Sequence, residues 1–404
     1  MRIHTPPFLA AGAAAVIAAC APGDSPRPVG QRLETDSAGA VIVSNVAPLW
    51  GEAPASLDSV PLVRIGREAA GPEQFTFVGL GLLLADDRIV VTELATSEVR
   101  VFSPTGVHQQ TLGRRGDGPG EWQSISTLAP WAGDSLVTHD QRLRRITVHS
   151  LTSGGSRSVA TPSSGNLAAF GLLADGGLLL YDPGRGYRPG APPGVQWDTT
   201  DIVRVDITTG DAAVIARLPS REQRILPDGN TVPLGPAHRA VFAVDSFGFW
   251  WGTTDRYDVQ FRDARGSLRR ALRRTVDAEP VTPALTQRWI QHTLEEFARF
   301  NGPAAAAARR AELEAGPFGT RVPLFEYAFV DRNARLWLGA GVWPDEGDTP
   351  TRWSVFDNRG VWLGDVAVPP RFRPLDVRGD RVLGVVTDDD GVPFVEVRRL
   401  RVPE

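Results

Sequence analysis

The chain has 404 residues, a single cysteine and a formal net charge of −4 at pH 7. All 43 of its basic residues are arginine. This composition excludes internal disulfides, Cys-x-x-Cys redox sites, cysteine-rich zinc sites and any chemistry that needs a lysine, such as a Schiff base or a P-loop. The slightly acidic balance gives no reason to expect a nucleic-acid partner.

The N-terminus resembles the signal of a bacterial lipoprotein. An apolar run from Phe8 to Ala19 follows one basic residue and is too short to cross a bilayer. The run leads into Ile17-Ala18-Ala19-Cys20, which is similar to the lipobox, where an apolar residue and two small ones precede the cysteine. The resemblance implies that residues 1–20 are the signal and that Cys20 carries the lipid. The alternative is an ordinary secretory signal with a cysteine placed by chance.

The segment after the cysteine is polar and rich in Gly, Pro and Ser, so residues 21–39 are predicted to be a flexible tether. Ala21 follows the cysteine, where an Asp would favour retention in the inner membrane. This favours the outer membrane if the host is Gram-negative. We therefore expect a monomeric, extracytoplasmic protein of the cell envelope that is attached to a membrane through its lipid anchor.

From residue 40 to the C-terminus one unit recurs. It has a turn with Asp and often Gly, a strand of β-branched or aromatic residues, a polar turn and a second strand. The clearest copy runs through Asp86–Thr92 and Val99–Phe102. The six copies open at Asp86, Gly133, Ala174, Val244, Asp331 and Gly379.

These units predict an all-β fold, a six-bladed β-propeller, because no unit can bury its faces alone and radial packing also removes open sheet edges. Five or seven blades are the alternatives, and a β-sandwich or a pair of sandwiches is the rival architecture. The strand at residues 41–46 is free to join the sheet of the last unit and so to close the ring.

A link motif supports this fold. It reads Gly-Arg, then Gly-Pro, then an acidic residue and an aromatic, in Gly113–Trp122 and more weakly in Ile65–Phe75. The aromatic is expected to lie between neighbouring blades. The motif resembles the blade-to-blade link of NHL-type propellers. Together with the lipobox, it is similar to bacterial six-bladed β-propeller lipoproteins related to NHL repeats, a resemblance that implies the fold and little about function.

One segment departs from the repeat. Thr282 and Pro283 are typical of a helix start, and apolar residues from Trp289 to Phe297 recur at helical spacing. Gly302 interrupts the pattern before an alanine-rich stretch that ends near Gly316. We expect a helical hairpin at about residues 282–316, between the fourth and fifth units. It is either a packing appendage on the outer rim or a lid over one face.

Several catalytic or binding motifs are better explained as repeat turns. Gly133-Asp134-Ser135-Leu136 spells the serine motif of GDSL hydrolases, but it lies on a repeated hairpin turn and has no late Asp-x-x-His partner. Asp388-Asp389-Asp390 lacks the alternating carboxylates and distal Glu of a calcium loop. We therefore expect no catalytic residue among them.

Four polar residues remain as ligand candidates. Glu93, His139 with Asp140, and Asp255 each follow a strand at a similar level of the repeat. Because propeller blades bring distant residues to one axis, these side chains are predicted to ring one mouth of the central channel. The alternative is that they are solvent-facing hairpin residues.

These observations favour a binding module for a protein, peptide or glycan, without enzymatic activity and without a cofactor. The alternative is a metal-dependent enzyme of the lactonase or lyase kind, with Ca²⁺ or Zn²⁺ held by the four candidates at the channel mouth. A second alternative is a structural scaffold of an envelope complex.

Overall fold

The computed structural model describes residues 30–66, 71–162, 165–183, 190–340 and 350–403. Cys20, the rest of the signal and the start of the expected tether lie outside these residues. The described chain forms 28 strands and two helices. Neither helix combines the length and the apolar composition that a membrane-spanning segment needs.

The first fourteen strands, in chain order, are β1 (Arg32–Ser37), β2 (Ala40–Asn45), β3 (Ala55–Leu57), β4 (Val63–Ile65), β5 (Val78–Leu83), β6 (Ile89–Glu93), β7 (Glu98–Phe102), β8 (His108–Leu112), β9 (Ile125–Trp131), β10 (Ser135–Asp140), β11 (Arg145–Ser150), β12 (Ser156–Ala160), β13 (Ala168–Leu172) and β14 (Gly177–Tyr181). The remaining elements are β15 (Gly194–Asp206), β16 (Ala212–Ile225), β17 (Thr231–Pro233), β18 (Ala240–Val244), β19 (Gly248–Thr253), β20 (Tyr257–Asp263), β21 (Leu268–Arg274), α1 (Pro283–Asn301), α2 (Pro303–Glu314), β22 (Tyr327–Val330), β23 (Leu336–Gly339), β24 (Thr351–Phe356), β25 (Trp362–Val368), β26 (Phe372–Arg378), β27 (Arg381–Thr387) and β28 (Pro393–Arg401).

These strands form a six-bladed β-propeller, as the repeat predicts. From the inner strand outwards, the blades are β5–β8, β9–β12, β13–β17, β18–β21, β22–β25, and β26–β28 with β4. The inner strands β5, β9, β13, β18, β22 and β26 contact one another in that order, and β26 contacts β5. The ring is therefore closed.

The second strand of each blade is the most deeply buried. Every residue of β6 and of β19 is buried, which agrees with their unbroken runs of β-branched and aromatic residues. Asp87 and Asp134 adopt positive φ angles of 65° and 55° in the hairpin turns that precede the second strands. Local turn chemistry and burial on both faces thus account for the repeat.

The two ends of the propeller carry different connections. We call the end at which the inner strands begin, and where the chain passes from blade to blade, the link face. The opposite end carries the hairpin turns between first and second strands, and we call it the turn face. The long strands β15 and β16 extend past the third blade at the link face, and α1 and α2 join the fourth blade to the fifth at the same end.

The link motif packs as predicted. Trp122 is fully buried in a cluster shared by the first and second blades, and Phe75 lies in the corresponding cluster between the sixth and first. Gly113 has φ +68°, and a Cβ there would lie 2.0 Å from the Trp122 ring. Arg145 donates to link carbonyls before the second blade, and Arg100 does so before the first. One arrangement therefore joins two successive pairs of blades.

A histidine is buried beside this link. The His149 ring lies 4.8 Å from the Trp122 ring, and its Nε2 lies 3.3 Å from Thr138 Oγ1. The same hydroxyl accepts a hydrogen bond of 3.0 Å from Trp122 Nε1. Burial lowers the pKa of His149 to about 4, and the nearby charge of Arg145 acts in the same direction.

The N-terminal segment runs along the outside of three blades, which corrects the expectation that residues 41–46 join the sheet of the last unit. Strand β2 pairs in parallel with β21 of the fourth blade, not with the last unit. The sixth blade is instead completed by β4, which pairs with β28. Between them, β3 pairs with both β25 and β28 and joins the fifth and sixth blades. The three residues of β4 are too few to show a strand pattern in the sequence. The longer β2 was therefore expected to complete the last blade.

The expected tether is also shorter than residues 21–39. Strand β1 begins at Arg32 and pairs with β2, although all six of its residues are exposed. Asn45, the last residue of β2, is buried. Its Nδ2 donates to the Gly360 carbonyl at 3.0 Å and its Oδ1 accepts from the Trp362 amide at 2.8 Å. This amide side chain ties the N-terminal hairpin to the fifth blade.

The helical hairpin between the fourth and fifth blades is confirmed. Thr282 caps α1 by accepting a hydrogen bond from the Leu285 amide at 3.2 Å, and Pro283 begins the helix. Ile290 and Leu294 are buried with α2, while Trp289 packs against Gly235 in the segment that leads to β18. The hairpin therefore packs beside the link between the third and fourth blades.

We expect Asn45→Ala to lower the free energy of unfolding by about 1–3 kcal/mol, because it leaves a buried carbonyl and amide without partners. Thr35→Ala, on the exposed strand of the same hairpin, should change it by less than about 0.5 kcal/mol. Urea unfolding of both variants measures the difference. Equal values for the two would show that the N-terminal hairpin does not stabilise the ring through Asn45.

The buried histidine predicts a pH dependence of stability. Because the pKa of His149 is about 4 in the folded chain and about 6.5 when unfolded, the unfolded chain binds the proton first on acidification. Stability should therefore fall as the pH drops from about 6.5 to about 4, by at most about 1.4 kcal/mol per pH unit from this residue. His149→Gln should flatten the dependence measured by urea unfolding. His292→Gln, at an exposed helix position, controls for the substitution itself, and an unchanged slope in His149→Gln would contradict the assignment.

Candidate functional site: the central channel

The ring encloses a cavity of about 630 Å³ on its axis. All six inner strands contribute to its wall, from Gly79 in the first blade to Asp376 in the sixth. The cavity reaches from the start of these strands at the link face to the turns at their other end. A ligand inside it would therefore contact every blade.

Much of the wall is aromatic. On one side, Phe170 of the third blade lies 4.8 Å from Phe242 of the fourth, between ring centroids, and Tyr181 packs on both. On another side, Tyr327 of the fifth blade stacks on Trp353 at 6.0 Å with an angle of 17° between the planes. Inner strands place alternate side chains on one face, so short aromatic stretches near their starts line the channel.

The turn-face end of the channel is polar but internally paired. Asp376 is buried and accepts hydrogen bonds from the Leu83 amide at 2.8 Å and from Arg332 Nε at 3.1 Å. Burial raises its pKa, and Arg332 opposes that rise. Asp245, whose pKa burial also raises, accepts from the backbone of its own turn. These carboxylates are held by the protein itself.

The link-face end has one cation of a different kind. Arg373, near the start of β26, donates to the Val78 carbonyl at 2.8 Å and to the Gly79 carbonyl at 3.3 Å in the first blade. Burial lowers its pKa, and the charge interaction with Tyr327 opposes that shift. Throughout the described part of the chain, no carboxylate lies within 4.0 Å of its guanidinium. The channel thus combines aromatic side chains with an arginine whose hydrogen bonds, among the described residues, go to carbonyl groups alone.

Two of the predicted ligand residues have structural roles instead. The Glu93 carboxylate accepts hydrogen bonds from the amides of Thr76 and Phe77, which follow the link aromatic of the first blade. The Asp140 carboxylate does the same for Gln123 and Ser124 in the second blade. Neither residue lines the cavity. The structure therefore places both carboxylates on the links and not at the channel, because buried link amides need acceptors and these carboxylates supply them.

The other two candidates also lie away from the cavity wall. His139 is buried, with Nδ1 2.7 Å from Ser126 Oγ and with no hydrogen-bond partner for Nε2 among the described residues. Burial lowers its pKa to about 4. Asp255 lies in the turn after β19, with Arg256 at 4.0 Å. The structure does not bring the four predicted residues together, and the described residues contain no group of three His, Cys, Asp or Glu placed to hold a metal ion.

The residues that form the channel were missed from sequence. Phe170, Phe242 and Tyr327 each lie near the start of the first strand of a unit, a few residues before the recognised turn. Their position a few residues before that turn could have identified them from the sequence. Arg373 has no local signal, since its surroundings come from blades one, five and six. None of the described helix residues lines the cavity, so the lid interpretation of the hairpin gains no support from the cavity wall.

Comparisons with known proteins support the fold and no more. No protein-family model matches the chain, and no curated protein matches it. A presumed exported protein of Bacteroides fragilis NCTC 9343 aligns over 90% of this chain and 100% of its own at 12% identity, with a TM-score of 0.50. A protein of unknown function from Bacteroides thetaiotaomicron VPI-5482 covers 83% and 72% at 11% identity, with a TM-score of 0.45. A streptogramin B lyase covers 80% and 79% at 11% identity, with a TM-score of 0.38. At these identities the likeness concerns architecture alone, and it agrees with the β-propeller that the sheet topology shows.

Proposed function

We propose that this protein is an extracytoplasmic binding propeller that holds its ligand, an apolar or aromatic peptide, in the central channel. The aromatic side chains that the second to fifth blades contribute to the cavity wall carry the proposal. A cavity of about 630 Å³ is within the range of roughly 300–1,000 Å³ typical of small-ligand pockets. Aromatic faces favour apolar and ring-bearing side chains over extended hydrophilic chains, and the carboxylates at the turn-face end are already paired within the protein.

The proposed location of the propeller outside the cytoplasm rests on the N-terminal sequence. A lipid on Cys20, as the lipobox predicts, would attach the propeller to a membrane surface. The Bacteroides fragilis protein with the similar fold is itself presumed to be exported. An envelope location gives the channel access to peptides outside the cytoplasm.

Binding to a peptide library tests this function. The full-length protein in detergent is titrated with N-acetylated tripeptides of Phe, Leu and Trp, and with neutral oligosaccharides of similar size as the competing class. We expect peptide binding that weakens at least 10-fold in Phe242→Ala, because that variant removes one ring of the channel wall, a loss equivalent to about 1.4 kcal/mol.

The matched control is Phe394→Ala, which removes an aromatic ring from the outer part of the sixth blade, where it contacts Arg64. It should bind peptides as the unchanged protein does. Binding of oligosaccharides alone, or an equal loss in both variants, would contradict a peptide site in the channel. Steady turnover of any bound compound would favour the enzymatic alternative.

A further inference from the structure

Two arginines line the channel, and they differ in how their charge is balanced. Arg332 lies 3.1 Å from the Asp376 carboxylate at the turn-face end. Within the described ranges, Arg373 at the link-face end has only the Val78 and Gly79 carbonyls as hydrogen-bond acceptors. The channel therefore has one ion-paired arginine and one arginine without a protein counterion among the described residues.

An arginine in this position is costly for the empty protein. Removing a guanidinium from water without a counterion carries a desolvation penalty that neutral carbonyls offset only in part. The three hydrogen bonds to carbonyls use three of the five N–H groups of a guanidinium. At least two N–H groups of Arg373 therefore remain for a ligand.

The surroundings define what such a ligand looks like. The link-face end of the cavity places Arg373 beside Tyr327, whose ring stacks on Trp353. A carboxylate balances the charge of a guanidinium and accepts stronger hydrogen bonds from it than a neutral amide does. The aromatic wall beyond it suits the apolar body of the same molecule.

We infer that Arg373 is the subsite for a carboxylate, and that the channel binds its peptide by the C-terminal end, with the terminal carboxylate at the link face and the apolar side chains along the aromatic wall. This inference rests on the proposed function and names the group that orients the ligand. A small aromatic carboxylic acid shares this chemistry and is the other source of the same group.

The test compares ligands that differ only in the terminal group. N-acetyl-Phe-Leu-Phe is titrated into the full-length protein as the free acid and as the C-terminal amide, and 3-phenylpropionate and its amide form a second pair. We expect the free peptide acid to bind at least 10-fold more tightly than the amide. Tighter binding of phenylpropionate than of the peptide acid would overturn the peptide assignment.

Variants then test whether the preference for the acid over the amide depends on Arg373. In Arg373→Met the acid and the amide should bind within twofold of each other, whereas Arg373→Lys should keep part of the preference for the acid. Arg371→Met, which removes an arginine paired with Asp389 outside the cavity, should behave as the unchanged protein. The comparison of acid and amide in the unchanged protein holds even if Arg373→Met folds poorly.

The outcomes separate the two proposals. Equal binding of acid and amide by the unchanged protein would overturn the carboxylate subsite and leave peptide binding in the channel intact. A preference for the acid that survives in Arg373→Met would also overturn it. If none of the peptides binds, the proposed function itself fails. The carboxylate subsite fails with it when phenylpropionate and its amide also bind equally or not at all.

Discussion

Closure of the ring is the constraint on which the rest of this structure depends. Each blade buries its two faces only against its neighbours, so the hydrophobic clusters lie between blades rather than within them. The contact of β26 with β5 and the pairing of β4 with β28 complete the circle. Since β4 precedes the first blade in the chain and β28 is the last strand, the sheet of the sixth blade joins the two chain segments that flank the ring.

The N-terminal segment strengthens this closure by running around the rim. It contacts the fourth blade through β2, the fifth through Asn45, and the fifth and sixth through β3. Because β3 pairs with a strand of the fifth blade and a strand of the sixth, the two sheets are continuous. The ring therefore resists opening between these two blades. The segment that leads from the proposed anchor is thus also part of the propeller.

Polar residues in this chain divide into two groups with different roles. Glu93, Asp140, Arg100 and Arg145 form the same hydrogen bonds in the first two blades, where they satisfy the backbone of the links. Such residues resemble functional ones in sequence, because both recur at set positions beside glycines and aromatics. The channel is different. Arg373, which has no counterion among the residues that the structure describes, lies near aromatic rings there, and that combination suits recognition of an apolar anion.

The sequence by itself determined the features that depend on near neighbours in the chain. The repeated turn and strand, the six units, the helical hairpin after Thr282 and the aromatic at the end of the link all follow from turn chemistry, capping and burial patterns of short segments. The lipobox at Cys20 is likewise a local signal and stays a prediction.

Tertiary structure alone decided which distant segments meet. The three residues of β4 carry too little pattern to reveal that they close the sixth blade, and β2 has nothing in its sequence that distinguishes the edge of the fourth blade from that of the last. Glu93 and Asp140 were assigned to the channel because their positions along the repeat were known and the directions of their side chains were not. Arg373, Phe242 and Tyr327 share a cavity only because six strands converge on one axis, and such long-range convergence leaves no trace in any single segment.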